Sequence, residues 1–241
     1  LKQDPMMPVS PCCILSCEHA RRAVPAAARA CFQDAGAILR SHRGWDPGAA
    51  TLCRDLARRL GCPALYGRWT RLLVDLNRSP GNPTLWSEFS RRLPADQRQF
   101  WLAHHHAYHA RVVAAINAAL ASGQTVRHLS VHSCTPVWEG RERQLDIGLL
   151  YDPARPAEVA FCHAWEHLLR QRLPGLRIRH NEPYRGTDDG LTTRLRNTFA
   201  ADRYAGIEIE VNQRLPLRGG AAWQDLRAGV ADTLAHLLES P

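Results

Sequence analysis

The sequence predicts a three-layer α/β/α domain around a central mixed, largely parallel sheet. Short apolar runs alternate with segments of helical period along the whole chain, the pattern of helices laid on both faces of a sheet. Gly and Pro punctuate at short intervals, with no internal repeat, low-complexity tract or long linker. The 241 residues are 45% hydrophobic and 22% charged, enough apolar surface for a sizeable core. Residues 1–10 read as a disordered leader and 11–241 as a single α/β unit of hydrolase type.

Each element has its own signal. Cys12 to Ser16 is a short apolar run, read as a buried strand, with Glu18 and His19 emerging at its carboxyl end. Ala26 to Ala35 is expected to be helical, ended by Gly36. Ser41 to Gly48 is too rich in turn formers for either element. Ala49 to Leu60 is a helix, with Leu52, Leu56 and Leu60 on one face and Gly61 as its stop. Arg71 to Leu76 is read as a second buried strand, followed by Asn77 and Arg78. Pro94 to Ala121 is the longest helix; Trp101, Tyr108, Val112, Ala115 and Ala119 recur at its period and Gly123 ends it. Val126 to Val131 is a strand that delivers His132 to a loop. Leu145 to Tyr151 is a strand, Ala157 to Leu173 a helix, Leu176 to Arg179 a strand and Leu191 to Ala201 a helix. Ile207, Ile209 and Val211 alternate with Glu208, Glu210 and Asn212, a strand with one polar face. Trp223, Leu226, Val230, Leu234 and Leu237 mark a final helix.

Charge and cysteine content narrow the function. The formal net charge is +8, and Lys2 is the only lysine among 31 basic residues. The arginines are scattered rather than gathered in a patch, which disfavours a nucleic-acid partner and suits a small anionic substrate. No eighteen-residue apolar window or secretory signal is present, so no membrane partner is expected and the predicted location is cytoplasmic. The eight cysteines lack the spacing of a zinc ribbon and read as small buried side chains in a reducing compartment. No G-x-S-x-G elbow, Walker A sequence or G-x-G-x-x-G occurs.

In an open sheet of this class, ligands bind outside the carboxyl ends of the strands. His19, Asn77 with Arg78, and His132 all follow apolar runs and would meet at one edge. Two such histidines with a carboxylate suit a catalytic zinc site, which leaves one position for water. The candidate carboxylates are Glu18 and Asp46. Asp46 is preferred: Glu18 adjoins His19 and on an extended strand would point the opposite way, whereas Asp46 lies in a loop that can bend inward. Arg78 could clamp a substrate carboxylate, although the same segment also reads as an ordinary turn. Glu208 and Glu210 share a strand face, and a carboxylate there could serve as general base. His104 to His106 and His109 lack the zincin glutamate and read as polar helix surface with partial packing, away from the strand ends.

These residues fall in ordered blocks: Ser16-Cys17-Glu18-His19, His42 to Ala49, Leu73 to Pro80, Val131 to Pro136, Asp146 to Tyr151, Asn181 to Gly186 and Ile209 to Asn212. Together they resemble the N-formylglutamate amidohydrolase family of zinc carboxypeptidase-like hydrolases, over about Cys12 to Leu215. The resemblance implies a mixed sheet between helices, one divalent metal, zinc by preference, and hydrolysis of N-formyl-L-glutamate to formate and glutamate, the last step of one histidine-degradation route. It places the metal on His19, Asp46 and His132, the base at Glu210 and the carboxylate clamp at Arg78, assisted by Asn77 and Arg185. Cys134 stands where the family commonly has an aromatic residue, and Cys-Glu-His-Ala stands where many members have Pro-His-Ser-Gly. Two other readings remain: a zinc carboxypeptidase or amidase for another N-acyl amino acid or short peptide, and a non-catalytic binding relative.

Overall fold

The computed structural model describes residues 11–239, so the expected leader at 1–10 lies outside the described residues. The chain opens with β1 (Cys12–Cys17), a tight helical stretch at Ala26–Phe32, α1 (Gly36–Arg40), α2 (Ala49–Leu60) and β2 (Ala64–Tyr66). It continues through α3 (Ala95–Ala121), β3 (Val126–Cys134), a small hairpin of β4 (Val137–Trp138) and β5 (Arg141–Glu142), and β6 (Ile147–Leu150). α4 (Pro156–Arg172), β7 (Ile178–His180), α5 (Leu191–Thr198), β8 (Tyr204–Asn212), α6 (Arg214–Arg218) and α7 (Gly220–Glu239) complete it.

The main sheet has the order β2-β1-β3-β8-β6-β7. β2, β1, β3 and β8 run parallel, while β6 pairs antiparallel to β8 and parallel to β7. The sheet is therefore mixed and mostly parallel, with helices on both faces, as the alternation of elements predicts. β3 and β8 form its centre, paired over nine positions from Val126 with Tyr204 to Cys134 with Asn212.

The two faces of these central strands differ in chemistry. One carries Leu15, Cys17, Leu129, Val131, Ile207, Ile209 and Val211, packed against α2, α4 and α7. The other begins apolar, with Ile14, Val126 and Tyr204 beneath α3. Toward the carboxyl ends it becomes Ser16, Ser130, His132, Glu208 and Glu210, all buried. Period-two alternation thus puts Ser16, Ser130, His132, Glu208 and Glu210 on one face, toward one end. The polar side of β8 is turned into a buried site rather than to solvent.

α2 shows how the local sequence frames that site. Leu52 and Leu56 are buried at helical spacing, and left-handed glycines stand at both ends, Gly48 (φ 86°) and Gly61 (φ 61°). At Gly48 a Cβ would lie 2.4 Å from Pro216 Cβ, so only glycine lets the Asp46 loop pass so close to α6.

Three local expectations need correction. Arg71 to Leu76 is a buried chain of turns, not a strand. Thr70 Oγ1 donates to the Gly44 carbonyl, Leu73 N to Thr70 O, and Asp75 N to Leu85 O, so no ladder partner is engaged. Its apolar residues Leu72, Leu73, Val74 and Leu76 fill the core on the α3 side; a short apolar run does not distinguish a strand from a buried turn. The edge strand is β2 instead. The Ala26 to Ala35 segment is only a tight helical stretch over Ala26–Phe32, with Ala28 and Phe32 in the core, and Gly36, expected as its stop, begins a separate short helix, α1. His132 lies within β3, not in a loop after it.

α4, α5 and β8 are joined by a buried ion pair. Arg196 Nε lies 3.0 Å from Glu158 Oε1, with side chains 4% and 0% exposed. Other Arg196 nitrogens donate to Gly186 O and Gly206 O. Arg196→Met leaves the Glu158 charge buried without its partner and is expected to cost about 3–5 kcal/mol, measured as a lowered urea midpoint at unchanged slope.

Candidate metal centre and active-site cavity

His19 follows β1 directly, and its carbonyl accepts the Asp46 N–H at 3.0 Å, which pins the loop before α2 against the strand end. Asp46 Oδ2 then lies 3.3 Å from His19 Nδ1 and 3.0 Å from His132 Nδ1. The two imidazole rings stand 5.0 Å apart. His19, Asp46 and His132 are one of two groups among the described residues whose ligand atoms all lie within 4.8 Å. Glu18 is not one of this trio; it lies against the other nitrogen of His132.

The far nitrogens of both rings face carboxylates. His19 Nε2 lies 2.7 Å from Asp75 Oδ1, and His132 Nε2 lies 3.0 Å from Glu18 Oε2. A proton held at each Nε2 leaves Nδ1 as the free lone pair, the arrangement by which an outer carboxylate orients a ligating histidine. Glu18 is held by the Tyr108 hydroxyl at 2.9 Å and the Ser130 hydroxyl at 2.6 Å. Asp75 is held by Arg71 through Nε and Nη2, at 3.1 and 2.8 Å, while Arg71 Nη1 approaches Asp46 Oδ1 at 3.6 Å.

Without a cation in this nest, electrostatics favour charge separation. Burial would raise the Glu18 and Asp46 carboxyls, but the neighbouring histidines hold both well below the usual range. Burial would lower His132, but hydrogen bonds to Asp46 and Glu18 raise it well above an ordinary histidine. Asp75 is likewise held low against its burial, chiefly by Arg71 and then His19.

Glu210 stands beside His132 because the β3–β8 register pairs the two positions. Burial pushes its carboxyl up to about 8, with Asp46 and Glu208 adding repulsion and His132 opposing. Its Oε2 is buried with no hydrogen-bond partner among the described residues. A buried carboxylate oxygen without a partner is costly, and a cation or water in the cavity would satisfy it. The donor set and this orphaned oxygen fit a divalent metal. Glu208, two residues earlier, is engaged by the Thr192 hydroxyl.

The open side is a cavity of about 600 Å³. Arg43, Arg71, Arg78, Arg91 and Arg185 line it, beside the carboxylates of Glu88, Asp188 and Asp189. Arg78 Nη1 is anchored by the carbonyls of Asn77 and Asp189, at 2.9 and 2.8 Å. Asn77 also lines the cavity; its Oδ1 accepts Leu191 N–H at 2.7 Å and its Nδ2 lies 3.4 Å from His132 Nε2. The segment carrying Tyr184 and Arg185 crosses over β6 at Gly148, where a Cβ would sit 2.1 Å from Glu182 O. The Arg143 guanidinium lies over the rings of Trp138 and Tyr184, 5.5 and 5.0 Å from their centroids.

The structure brings His19, Asp46, His132, Glu210, Asn77, Arg78 and Arg185 to one cavity. A family model described as N-formylglutamate amidohydrolase matches residues 12–217.

The chain belongs to the N-formylglutamate amidohydrolase family.

It is thus an amidohydrolase acting on a linear amide, as the blocks of sequence imply. The fold agrees. A crystal structure of a gene product from Agrobacterium tumefaciens is similar at 28% identity, with a TM-score of 0.76 over 95% of this chain and 90% of that one. The N-formylglutamate amidohydrolase of Ralstonia eutropha JMP134 shares the fold at 19% identity, with a TM-score of 0.71 over 98% and 95%. A search of curated proteins found no match.

The sequence reading left several residues of this N-formylglutamate amidohydrolase centre without a role. Asp75 and Arg71 lie in the segment expected to be a strand, and the period of α3 marks Tyr108 only as core. His105 and His109 are not polar helix surface: both are buried, stacked 4.2 Å apart, and turned to the carbonyls of Arg78 and Leu76. α3 therefore braces the Arg78 turn from behind. The buried carbonyls of a turn need donors, and the paired histidines supply them. A spacing of four on an otherwise core-facing helix was the available signal.

Proposed function

We propose that the chain hydrolyses N-formyl-L-glutamate to formate and L-glutamate, with one zinc ion held by His19, Asp46 and His132 and with Glu210 as general base. The observation that carries this reading is the convergence of two Nδ1 atoms on Asp46 Oδ2, beside a buried Glu210 oxygen that has no partner. When bound, the ion would polarise the amide carbonyl and lower the pKa of a water. Two imidazoles and a carboxylate suit zinc, with iron, manganese or cobalt able to use the same donors.

In this reading Glu210 accepts the proton of the attacking water and passes it to the leaving nitrogen. Burial makes the carboxylate a stronger base than an exposed glutamate, which suits the first transfer. Glu18 and Asp75 keep the two histidines in the tautomer that presents Nδ1. Arg78 is the carboxylate clamp, its guanidinium preset by two carbonyls, and Arg185 adds a second cation. Asn77 lies next to them with its amide oxygen already held by Leu191. Among the described residues no helix is long and apolar enough to cross a membrane. All eight cysteines are unpaired, which supports a reducing, cytoplasmic setting.

A second reading has its own support. The cavity volume falls in the range that holds drug-sized ligands, more room than a formylated amino acid needs. Trp138 and Tyr184 add an aromatic rim. Hydrolysis of a bulkier N-acyl amino acid or a short acidic peptide would use the same metal, base and clamp.

Elemental analysis beside a formate-release assay, with and without chelator, tests the proposal. The expected result is about one zinc in this centre and chelator-sensitive formate release. Metal without formate release moves the substrate to the bulkier class, and no metal uptake after reconstitution sinks the centre. Arg78→Ala is expected to raise KM about 10- to 100-fold, the scale of a lost charged hydrogen bond of about 1.5–3 kcal/mol. An unchanged KM in initial-rate kinetics would remove Arg78 as the clamp.

A further inference from the structure

We infer that His163, Glu166 and His180 form a second metal site, a two-histidine, one-carboxylate set for a divalent transition ion at the root of the loop that walls the active-site cavity. His163 and Glu166 lie three apart on α4 and so share a helix face. His180 is the last residue of β7. It pairs with Leu149, which pairs with Ile209, and that side of the sheet packs against α4. His132 and Glu210 point to the opposite face, so the sheet separates the two centres.

The donors are already gathered. The His163 and His180 rings stack with centroids 4.5 Å apart and planes 21° apart. Both turn a nitrogen to the same carboxylate oxygen, Glu166 Oε2: His180 Nε2 at 2.7 Å and His163 Nδ1 at 3.9 Å. The ligand atoms of the three residues lie within 4.8 Å of one another. An ion needs about 2.0–2.2 Å to each donor, so the stacked rings would turn their nitrogens toward one point as it binds.

Outer contacts fix which atoms face inward. Arg170 occupies the other Glu166 oxygen through Nε and Nη2, at 2.9 and 2.7 Å, leaving Oε2 as the single inward donor. The Tyr151 hydroxyl lies 3.0 Å from His180 Nδ1. A hydroxyl donates or accepts, so it suits both imidazole tautomers. It can donate to Nδ1 while Nε2–H faces Glu166, and accept from Nδ1–H once Nε2 ligates. This is the outer-contact arrangement of a metal-binding histidine.

The chemistry selects the ion class. Two imidazoles and one carboxylate favour Zn²⁺, Ni²⁺ or Cu²⁺ over Mg²⁺ or Ca²⁺. The His163 side chain is 59% exposed, which gives an ion a path from solvent and leaves room for water to complete the coordination. The exposure also makes this centre weaker than the buried one. Its position gives it a structural consequence. The Asn181 N–H bonds to Leu149 O, the Asn181 side chain accepts from Tyr151 N and Gly186 N, and the chain then runs into Tyr184 and Arg185 of the cavity. An ion here would tie α4 to the first turn of that loop.

Equilibrium dialysis of the full chain against Zn²⁺, followed by elemental analysis, reads the site directly. The wild type is expected to take up about two equivalents, the weaker leaving first under a mild chelator. His163→Gln should take up about one equivalent, the tightly held one. Asp46→Asn should keep the weaker equivalent, so loss of the buried centre and loss of this one are read separately. Excess Mg²⁺ should displace neither. A His163→Gln protein that still binds the weaker ion overturns the assignment. So does an Asp46→Asn protein that binds none.

Discussion

Glu210→Gln is expected to lower kcat by about 10²- to 10⁴-fold, the usual contribution of a positioned general base, while metal content stays at the wild-type level. The substitution keeps the shape of the side chain and touches none of the three proposed ligands. The pH dependence has a definite sign. In the metal-free chain burial holds the Glu210 carboxyl up to about 8, so near neutral pH it is mostly protonated. A base must be ionised, so kcat/KM rises with pH through the pKa of Glu210. A bound dication favours the carboxylate and moves that pKa downward, which places the acid limb below pH 8. Metal uptake at pH 7 should then release a proton from Glu210 that the glutamine variant lacks. Calorimetry in buffers of different ionisation enthalpy counts these protons. Turnover of Glu210→Gln at the wild-type rate would falsify the assignment of the base.

Asp46→Asn is the second large effect: metal affinity and activity are expected to fall together. Asp46 Oδ2 is the atom on which both Nδ1 donors converge, and an amide nitrogen placed there would turn hydrogens toward the ion. Glu18→Gln provides the scale. It acts only through His132 Nε2, so its affinity loss should be about 10- to 100-fold, the usual range for a partner behind a ligand. The Asp46 loss should exceed it. Competition with a chelator of known affinity measures both. Protons compete for the same centre, because His132 is held charged between Asp46 and Glu18 and must give up its proton to ligate. Below the His132 pKa, this proton alone should lower the log of the metal affinity by about one per pH unit, and the Glu210 proton adds to the slope while that carboxyl stays protonated in the metal-free chain. Wild-type affinity in Asp46→Asn would remove it from the ligand set.

The elements that were readable are those whose signals are local. α2 shows its apolar face at Leu52 and Leu56 and its stop at Gly61, and its bounds are those expected. α3 has a core stripe through Trp101, Tyr108, Val112 and Ala119. β8 alternates Ile207, Ile209 and Val211 with Glu208 and Glu210, and β1 is an apolar run that ends just before Glu18 and His19. Arg71 to Leu76 was misread because buried turns and buried strands have the same apolar composition, and ladder partners do not show in a single segment. His105 and His109 were misread because the carbonyls they cap belong to a distant turn.

The same division holds in the site. His19, Asp46, His132 and Glu210 could be named from strand ends and ordered motifs, since strand periodicity and loop composition mark where polar side chains leave an apolar run. Their pairing could not. His132 stands beside Glu210 because two nine-residue strands pair in parallel at one register. Asp75 reaches His19 across 56 residues, and Tyr108 reaches Glu18 across 90. Such contacts depend on how helices and turns pack over the sheet, and no local propensity encodes that geometry. Residue type and alternation therefore set the inventory of the centre. Register and packing chose which nitrogen of each histidine faces Asp46, which carboxylate stands behind each ring, and which one is left buried without a partner.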